Sequence, residues 1–264
     1  MTVITSRQHP IVKEFRDLAR GRGPSILLDG WHLLAEASRA GLAIETIAHA
    51  GPTPPDGRLL LERAESSGAR VVEVSDAVLN ALSPVSTPSG VVSAAARPQT
   101  DITSVTHPAP ALVLAGTGIQ DPGNAGALIR SAAAAGATGV VVDETCADPW
   151  GWKALRASMG SAFLVPVVRT SALPQAVEAW KAAGLSIVAA IPRSGTPMYD
   201  IDFTRPAAIL LGGEGAGLSE ALIEASDQRV TIPMNNAVES LNVAVAAALL
   251  LYEAHRQRAA SLAP

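Results

Sequence analysis

Three small groups of polar side chains, far apart in the chain, have residue types and surroundings that are suited to chemistry. Asn124 and Arg130 lie six residues apart on a predicted helix that is otherwise rich in alanine. Glu214 stands alone among glycines, which let a ligand approach the backbone closely. Ser240 and Asn242 occupy a polar loop that leads into an apolar helix. Each group adjoins a predicted strand or helix end, where backbone donors and acceptors are free to bind a ligand.

Each group also has an explanation that involves no ligand. Arg130 could pair with Glu214 in a structural salt bridge, because a partly buried guanidinium needs a partner. Glu214 could equally be a solvent-facing acid in a tight turn. Ser240 stands where an N-cap is expected, so its hydroxyl is predicted to accept a backbone N–H at the start of the last helix. The residues by themselves leave these explanations open.

Two glycine-rich stretches are incomplete as nucleotide-binding motifs. Gly116 and Gly118 follow a predicted strand, as in a dinucleotide-binding fingerprint, but Asp121 stands where the third glycine belongs. Pro122 also removes a backbone N–H that a pyrophosphate would need. The run at 213–217 lacks the lysine and the hydroxyl of a phosphate-binding loop. These patterns argue against a dehydrogenase and against a P-loop enzyme.

Alternating strands and helices predict two α/β domains that position the polar groups. Residues 1–97 form the smaller domain, residues 98–110 are a linker with three prolines, and residues 111–264 form the larger domain. The strands of the larger domain are uniformly apolar, which indicates a parallel sheet covered by helices on both faces. In detail, residues 52–57 are predicted to be a loop because they hold three prolines and a glycine, and residues 162–166 a strand.

Composition and length limit the classes of protein to which the chain can belong. At 264 residues, with 48% apolar and 17% charged residues, it has the composition of a globular protein with sizeable cores. The apolar run at 243–252 is about half the length of a membrane span, and no signal peptide is predicted. Cys146 is the single cysteine, so an internal disulfide is excluded. The five histidines show no metal-ligand spacing, and no metal is expected.

The distribution of charge favours contact with nucleic acid more than the net charge does. The formal net charge is −4, whereas phosphate binding depends on clustered lysine and arginine. Residues 1–22 nevertheless form a basic segment in which Glu14 and Asp17 are the only acids. Its cations are Arg7, Lys13, Arg16, Arg20 and Arg22. The pattern fits an RNA-binding surface and equally a solvated helix face.

Three motifs, by their order and spacing, resemble those of the SpoU family of RNA ribose 2'-O-methyltransferases within the SPOUT superfamily. The motifs are residues 119–130, 210–219 and 231–242, and they contain the three polar groups. The resemblance covers residues 111–258, and a weaker likeness reaches the N-terminus. There the segments 6–13 and 28–34 are similar to the family's substrate-binding extension.

The resemblance implies a fold, a cofactor and a reaction. The larger domain would contain a deep trefoil knot, an exception to the rule against threaded chains. The reaction would move a methyl group from S-adenosylmethionine to a ribose 2'-hydroxyl of RNA, with ribosomal RNA in the cytoplasm as the expected substrate. The cofactor would be bound by Gly212, Gly213, Ile232, Met234 and Leu241. RNA would be bound by Arg7, Lys13, Arg16, Lys153 and Arg156. A surface helix explains the last two almost as well.

The resemblance also gives catalytic positions to the three polar groups. These positions are Asn124, Arg130, Glu214, Ser240 and Asn242. Arg130 corresponds to the family's catalytic arginine. Because a guanidinium keeps its proton up to a pH of about 12, we prefer Arg130 as a cation that stabilises the developing alkoxide and holds the adjacent phosphate, although it is also assigned as the base. Methylation of tRNA, and RNA binding without catalysis, stay open as other functions.

The helix after the third motif predicts a homodimer. Apolar residues surround this helix, and one sheet can cover only one side of it. One side consists of Leu241, Ala244, Val245, Ala248, Leu249 and Tyr252, and the other of Val243, Ala246, Ala247, Leu250 and Leu251. A second subunit related by a two-fold axis is the simplest cover for the free side, with Leu250 or Leu251 as candidate contacts. Another helix of the same domain is the alternative.

Overall fold

The computed structural model of the protein describes residues 3–235 and 237–261. Asn236, which belongs to the third motif and to its polar loop, lies outside the described residues. So do residues 1–2 and 262–264, at the ends of the two predicted domains. The predicted class is confirmed: the chain is an α/β protein with a larger parallel sheet and a smaller N-terminal sheet.

The chain divides into two compact units. Residues up to 99 form the first unit together with residues 150–163, and the rest forms the second unit. The segment 150–163 lies within the sequence of the larger predicted domain, at 111–264, but packs with the first unit. Sequence pattern gives no sign of this exchange, because the segment is a short helix between two strands of the second unit.

Nine helices and eleven strands are found within the described residues. The helices are α1 (Pro10–Ala19), α2 (Trp31–Arg39), α3 (Pro55–Ser66), α4 (Asp76–Leu82), α5 (Pro122–Ala134), α6 (Trp152–Ser158), α7 (Leu173–Ala182), α8 (Glu220–Ala225) and α9 (Val243–Ser261). The strands are β1 (Ser25–Asp29), β2 (Ile44–His49), β3 (Arg70–Glu73), β4 (Val91–Ala96), β5 (Leu112–Thr117), β6 (Gly139–Asp143), β7 (Val167–Thr170), β8 (Ser186–Ala190), β9 (Thr196–Pro197), β10 (Ala207–Gly212) and β11 (Gln228–Thr231).

The first unit is built on a four-stranded sheet in the order β1-β4-β2-β3. Strand β4 is antiparallel to both of its neighbours, and β2 and β3 are parallel. Helix α1 packs on the sheet through Ile11 and Phe15, whose helical spacing places them on one buried face. Trp152 of α6 packs against the same apolar cluster, and the Met159 carbonyl lies 3.2 Å from Nε2 of His32. These contacts hold the segment 150–163 in the first unit.

The second unit is built on a seven-stranded sheet in the order β7-β6-β5-β10-β8-β11-β9. Every pairing in this sheet is parallel, as the uniformly apolar strands predict. Helices α7 and α8 cover one face, where Val177 and Leu222 join a buried cluster with Val113 and Leu210. Helices α5 and α9 pack against each other, and α9 also lies against β10.

Three local predictions are wrong, each for a physical reason. The loop at 52–57 is cut short because α3 begins at Pro55, where a proline loses no helical hydrogen bond. The strand at 162–166 is a short 3₁₀ turn followed by β7, which begins at Val167. Ser240 is not the N-cap of the last helix, because Oδ1 of Asn242 accepts the free N–H groups. Helix α8, capped by the Ser219 hydroxyl, was not predicted.

Within the part of the chain that the structure describes, no helix is long and apolar enough to cross a membrane.

Candidate cofactor and catalytic site

The three motifs follow three strands of the second unit and meet at the carboxyl edge of its sheet. The first motif follows β5, the second follows β10 and the third follows β11. The chain leaves β5 through α5 to reach β6 on one side, whereas β10 pairs with β5 on the other side. Such a reversal of strand order opens a crevice at the carboxyl ends of the strands, where ligands bind in open α/β sheets.

Glycines let the backbones of these loops come into direct contact. A Cβ atom on Gly213 would overlap the carbonyl of Gly118, and one on Gly212 would overlap the backbone of Gly217 and Leu218. The N–H of Gly213 donates to the carbonyl of Thr117 at 2.7 Å, so the second motif is tied to the end of β5. Any larger residue at Gly213 would push the first two motifs apart, and any larger residue at Gly212 would open the turn of the second motif.

The first and third motifs each begin a helix with a side-chain cap. Oδ1 of Asp121 accepts the N–H of Asn124 at 2.8 Å, which places Asn124 in the first turn of α5. Oδ1 of Asn242 accepts the N–H groups of Ala244 at 2.9 Å and Val245 at 3.3 Å, at the start of α9. Both caps satisfy backbone donors that would otherwise lack a partner.

A directed chain of hydrogen bonds joins the three motifs. Nδ2 of Asn242 donates to Oδ1 of Asn124 at 3.0 Å, and Nδ2 of Asn124 donates to Oε1 of Glu214. The amide of Asn242 cannot be reversed without loss of the α9 cap, because its oxygen already accepts two backbone N–H groups. Its orientation fixes that of Asn124, and Asn124 in turn presents a donor to Glu214. We call these three side chains the amide relay.

Arg130 is exposed on α5, six residues after Asn124 and on a different side of the helix. Within residues 3–235 and 237–261 it forms no hydrogen bond or ion pair, so the salt bridge with Glu214 considered above is not present. An exposed guanidinium without a protein partner keeps all of its donors for a ligand, and its planar fork suits phosphate oxygens.

A cavity of about 570 Å³ opens between the second and third motifs, within the range of about 300–1,000 Å³ that is typical of small-molecule sites. All five residues that the resemblance assigns to the cofactor line it: Gly212, Gly213, Ile232, Met234 and Leu241. Glu214, Ser240 and Asn242 also line it, whereas Asn124 and Arg130 do not. The cavity therefore has mostly apolar walls with a polar end that contains Glu214.

Sequence reasoning missed part of this cavity. Ile191 and Pro192, which follow β8, form a further wall, and Val243, Ala246 and Leu250 contribute one side of α9. The apolar run of β8 was visible in the sequence, but its place between β10 and β11 was not. That place is what brings the segment after β8 to the cavity.

All five predicted RNA contacts lie in the first unit and are exposed. Two of them also hold the structure together, since Nε of Arg7 donates to the carbonyl of Ala77 and Nε of Arg16 to that of Ala81. Their remaining guanidinium nitrogens are positioned by these bonds to α4. The other three are Lys13 on α1 and Lys153 and Arg156 on α6.

Two further titratable groups are accounted for by their surroundings. Burial raises the pKa of Asp29, although a hydrogen bond from Ser83 and the nearby charge of Arg156 act to lower it. Burial also raises the pKa of the Cys146 thiol to about 11, so this cysteine stays protonated and is no nucleophile. The described part of the chain holds no group of three or more histidine, cysteine or acidic residues that suits a metal ion.

Comparisons with known proteins agree with the motifs. The model of the "SpoU rRNA Methylase family" matches residues 111–252, and that of the "MRM3-like substrate binding domain" matches residues 9–93. The 23S rRNA (guanosine-2'-O)-methyltransferase RlmP of Bacillus subtilis is 32% identical, over 96% of this chain and 98% of that protein. An uncharacterised tRNA/rRNA methyltransferase of Synechocystis is 36% identical, over 99% of this chain and 96% of that protein.

Solved structures share the fold over nearly the whole chain. The AdoMet-bound rRNA methyltransferase of Sinorhizobium meliloti is 29% identical and covers 97% of both chains, with a TM-score of 0.86. The SpoU methyltransferase AviRb of Streptomyces viridochromogenes, in complex with AdoMet, is 31% identical, over 96% of this chain and 100% of that chain, with a TM-score of 0.85. By its sequence motifs, its fold and these comparisons, the chain belongs to the SpoU rRNA methylase family.

Proposed function

We propose that the protein is an RNA methyltransferase that uses S-adenosylmethionine to methylate a ribose 2'-hydroxyl of ribosomal RNA. The observation that carries the proposal is the amide relay, which joins one polar side chain from each motif and includes Glu214 and Asn242, two residues that line the cavity. Relatives named as 23S rRNA 2'-O-methyltransferases support ribosomal RNA as the substrate. A cytoplasmic location is part of the proposal, and the expected ribosomal RNA substrate supports it.

The cavity suits a nucleoside joined to an amino-acid tail. Its apolar walls, with Ile191, Ile232 and Leu241, suit the face of an adenine, and the strand ends beside it offer backbone donors and acceptors. The polar end, with Glu214 and Ser240, lies beside the amide relay. When bound, S-adenosylmethionine supplies a methyl group that is already activated on a positively charged sulfonium.

Glu214 is our candidate for the group that takes the proton from the ribose hydroxyl. Its Oε1 is held by Asn124, and its Oε2 accepts no hydrogen bond from any described residue. That second oxygen is therefore available to the hydroxyl, at the rim of the cofactor cavity. The relay holds the carboxylate in place, and correct placement of reacting groups can contribute about 7–11 kcal/mol to a barrier.

Arg130 has a different role in this proposal. Because a guanidinium stays charged at neutral pH, it cannot remove the proton itself. It is exposed and has no partner among the described residues, so it is free to grip a phosphate next to the target ribose and to stabilise negative charge on the 2'-oxygen. Ser240, which also lines the cavity, would orient the ribose or the cofactor through its hydroxyl.

The first unit would bind the RNA, with α1 and α6 as the contact surface. Lys13, Lys153 and Arg156 are exposed cations on these two helices, and the charge of such residues attracts phosphate whatever the sequence. Nζ of Lys153 lies 5.5 Å from the ring centre of Trp152, which restrains one cation of the set.

A homodimer is part of the proposal, but not through the leucines that the sequence suggested. Leu250 and Leu251 are fully buried in their own unit, so neither faces a partner. Instead Val245, Leu249 and Tyr252 are 49%, 39% and 52% exposed, at positions that share one face of α9. An exposed apolar face of this kind marks an interface, and two-fold dimers are the commonest assembly.

The same helix pair would bring the partner close to the site. Helix α5, which carries Arg130, packs against α9, so a partner seated on α9 lies near the first motif. The trefoil knot also belongs to the proposal. The close backbone packing of Gly213 against Gly118, where the loop after β10 meets the loop after β5, supports it.

The test is methyl transfer by the purified protein from labelled S-adenosylmethionine to unmodified ribosomal RNA, with unmodified tRNA in parallel. We expect label in ribosomal RNA and none in tRNA. Label in tRNA alone would assign the other substrate. Binding of ribosomal RNA without transfer of label would make the protein a non-catalytic RNA-binding member of the family.

A further inference from the structure

The third motif is bonded to a side chain outside the three motifs, which belongs to the segment after the neighbouring wall of the cofactor cavity. Ile191 and Pro192 form this wall, and they begin the segment 191–195, which follows β8. The segment and the third motif are joined by the strand pairing, with the N–H of Ile191 donating to the carbonyl of Val230 at 2.9 Å. The Thr231 hydroxyl adds contacts to two carbonyls of the wall, at 2.9 and 2.8 Å.

Arg193 joins the same two walls at the rim. Its Nη2 donates to the carbonyl of Val238 at 2.9 Å, and Val238 lies in the third motif two residues before Ser240. Among the described residues, no other bond between the segment 191–195 and residues 232–241 is found apart from those of Arg193. Within the described part of the chain, several bonds thus join the strand ends of the two segments, whereas Arg193 is the side chain that joins the segment 191–195 to residues 232–241.

The backbone beneath Arg193 is fixed. Ser194 has a φ of 64°, in the left-handed region. A residue other than glycine stays in this region only when the surrounding structure supports it. Gly195 lies so close to β11 that a Cβ atom there would come within 2.8 Å of the Val230 carbonyl carbon. Because the turn is seated on the neighbouring strand, Arg193 projects from a rigid base toward the third motif.

The part of the third motif that Arg193 holds has little support of its own. Ala237, Val238, Glu239 and Ser240 are all exposed. Among the described residues of this loop, the N–H of Val238 donates to the carbonyl of Asn235 at 3.0 Å, and the N–H of Ala237 donates to Oδ1 of Asn235 at 3.3 Å. Ser240 and Leu241, which line the cavity, lie two and three residues after Val238, whose carbonyl Arg193 binds.

We infer that Arg193 is a positioning residue of the cofactor site, which holds the third motif against the wall after β8 and so pre-forms the cavity. The inference rests on the proposed function, since the ligand is S-adenosylmethionine. A loop that is already ordered loses no conformational entropy when the ligand binds. The affinity is therefore higher by the free energy that ordering the loop would have cost. Arg193 lies outside the three motifs that supply the amide relay and Arg130, so its effect is expected on cofactor binding and not on methyl transfer.

The test compares three variants of the full-length protein by calorimetric titration with S-adenosylmethionine. Arg193→Ala should raise the Kd about tenfold, which corresponds to about 1.4 kcal/mol. Arg193→Lys keeps a charged donor, so its Kd should lie between those of Arg193→Ala and wild type. The matched control is Arg169→Ala, because Arg169 also donates to backbone carbonyls, those of Glu144 and Cys146, but at the far edge of the sheet. The control should bind S-adenosylmethionine as wild type does.

Two further readouts separate positioning from other roles. Hydrogen exchange of the hydrogen-bonded amides of Ala237 and Val238 should be about tenfold faster in ligand-free Arg193→Ala than in wild type, while single-turnover transfer at saturating cofactor stays within about threefold. The inference would be overturned if Arg193→Ala had a Kd within twofold of wild type or unchanged hydrogen exchange. It would also be overturned if Arg169→Ala lost as much affinity for S-adenosylmethionine, or if Arg193→Ala bound RNA more weakly but the cofactor normally. If wild type itself does not bind S-adenosylmethionine, the proposed function fails, while the exchange measurement still decides whether Arg193 holds the loop.

Discussion

The substitution Asn242→Asp separates the two roles of Asn242, because aspartate can keep one of them and not the other. An aspartate at this position still accepts the N–H groups of Ala244 and Val245, since aspartate and asparagine are about equally good N-caps. It has no donor for Oδ1 of Asn124, which lies 3.0 Å from the present nitrogen. We therefore expect a protein that folds normally and has a broken amide relay.

The size of the effect follows from the hydrogen bonds at stake. With an acceptor at position 242, the amide of Asn124 is expected to reverse and to point its oxygen at Glu214. Glu214 then loses a hydrogen bond to a charged group, worth about 1.5–3 kcal/mol, which corresponds to a fall in rate of about 10- to 150-fold. The melting temperature should stay the same or rise, because a negative charge at a helix N-terminus contributes about 0.3–1 kcal/mol.

The assay is single-turnover methyl transfer at saturating S-adenosylmethionine, beside thermal unfolding of the same samples. The control is Asn242→Ala, which loses the cap as well and should be less stable by about 0.5–2 kcal/mol. A wild-type transfer rate in Asn242→Asp would refute the relay. An equal loss of stability in both variants would show that Asn242 does not cap α9.

Three other predictions follow from the same structure. Arg130→Ala should abolish transfer and leave the Kd for S-adenosylmethionine within a few fold, as measured by single-turnover kinetics and titration; full activity would remove Arg130 from the mechanism. Changing Lys13 and Lys153 together to alanine should lower the slope of log RNA affinity against log salt concentration by about 1.4–1.8. A matched pair of changes at exposed cations of α3 should leave this slope as it is in wild type. Leu249→Glu should give a folded monomer in sedimentation and Leu250→Glu an unfolded protein; a wild-type monomer at micromolar concentration would contradict the dimer.

Most of the fold could be predicted because its signals are local. Uniformly apolar strands such as β5 and β10 identify the parallel sheet, and glycines or capping residues mark the ends of most helices. The wrong assignments arose where local signals compete. Prolines favour a loop but can also start a helix, as Pro55 does. The apolar residues before Val167 have the pattern of a strand, although they form a turn.

The candidate site could be predicted only in part, because its geometry depends on contacts between distant residues. The amide relay joins residues that are 118 and 90 positions apart, and the residue types alone do not say which side chain donates to which. In α9 both faces are apolar, so the sequence could not show that Leu250 is buried and Leu249 exposed. No sequence pattern marks Arg193, because its role depends on the position of β8 beside β11 in the sheet.

The central claim is that the chain methylates a ribose 2'-hydroxyl of ribosomal RNA with Glu214 as the proton acceptor. The most direct measurement digests ribosomal RNA to nucleosides after incubation with the protein and isotope-labelled S-adenosylmethionine, and identifies the labelled product by mass spectrometry. The account predicts a single labelled 2'-O-methylnucleoside with wild type, and a loss of at least about 100-fold with Glu214→Gln, since general-base catalysis contributes about 10²–10⁴ in rate. A label on a base, or wild-type activity in Glu214→Gln, would contradict it.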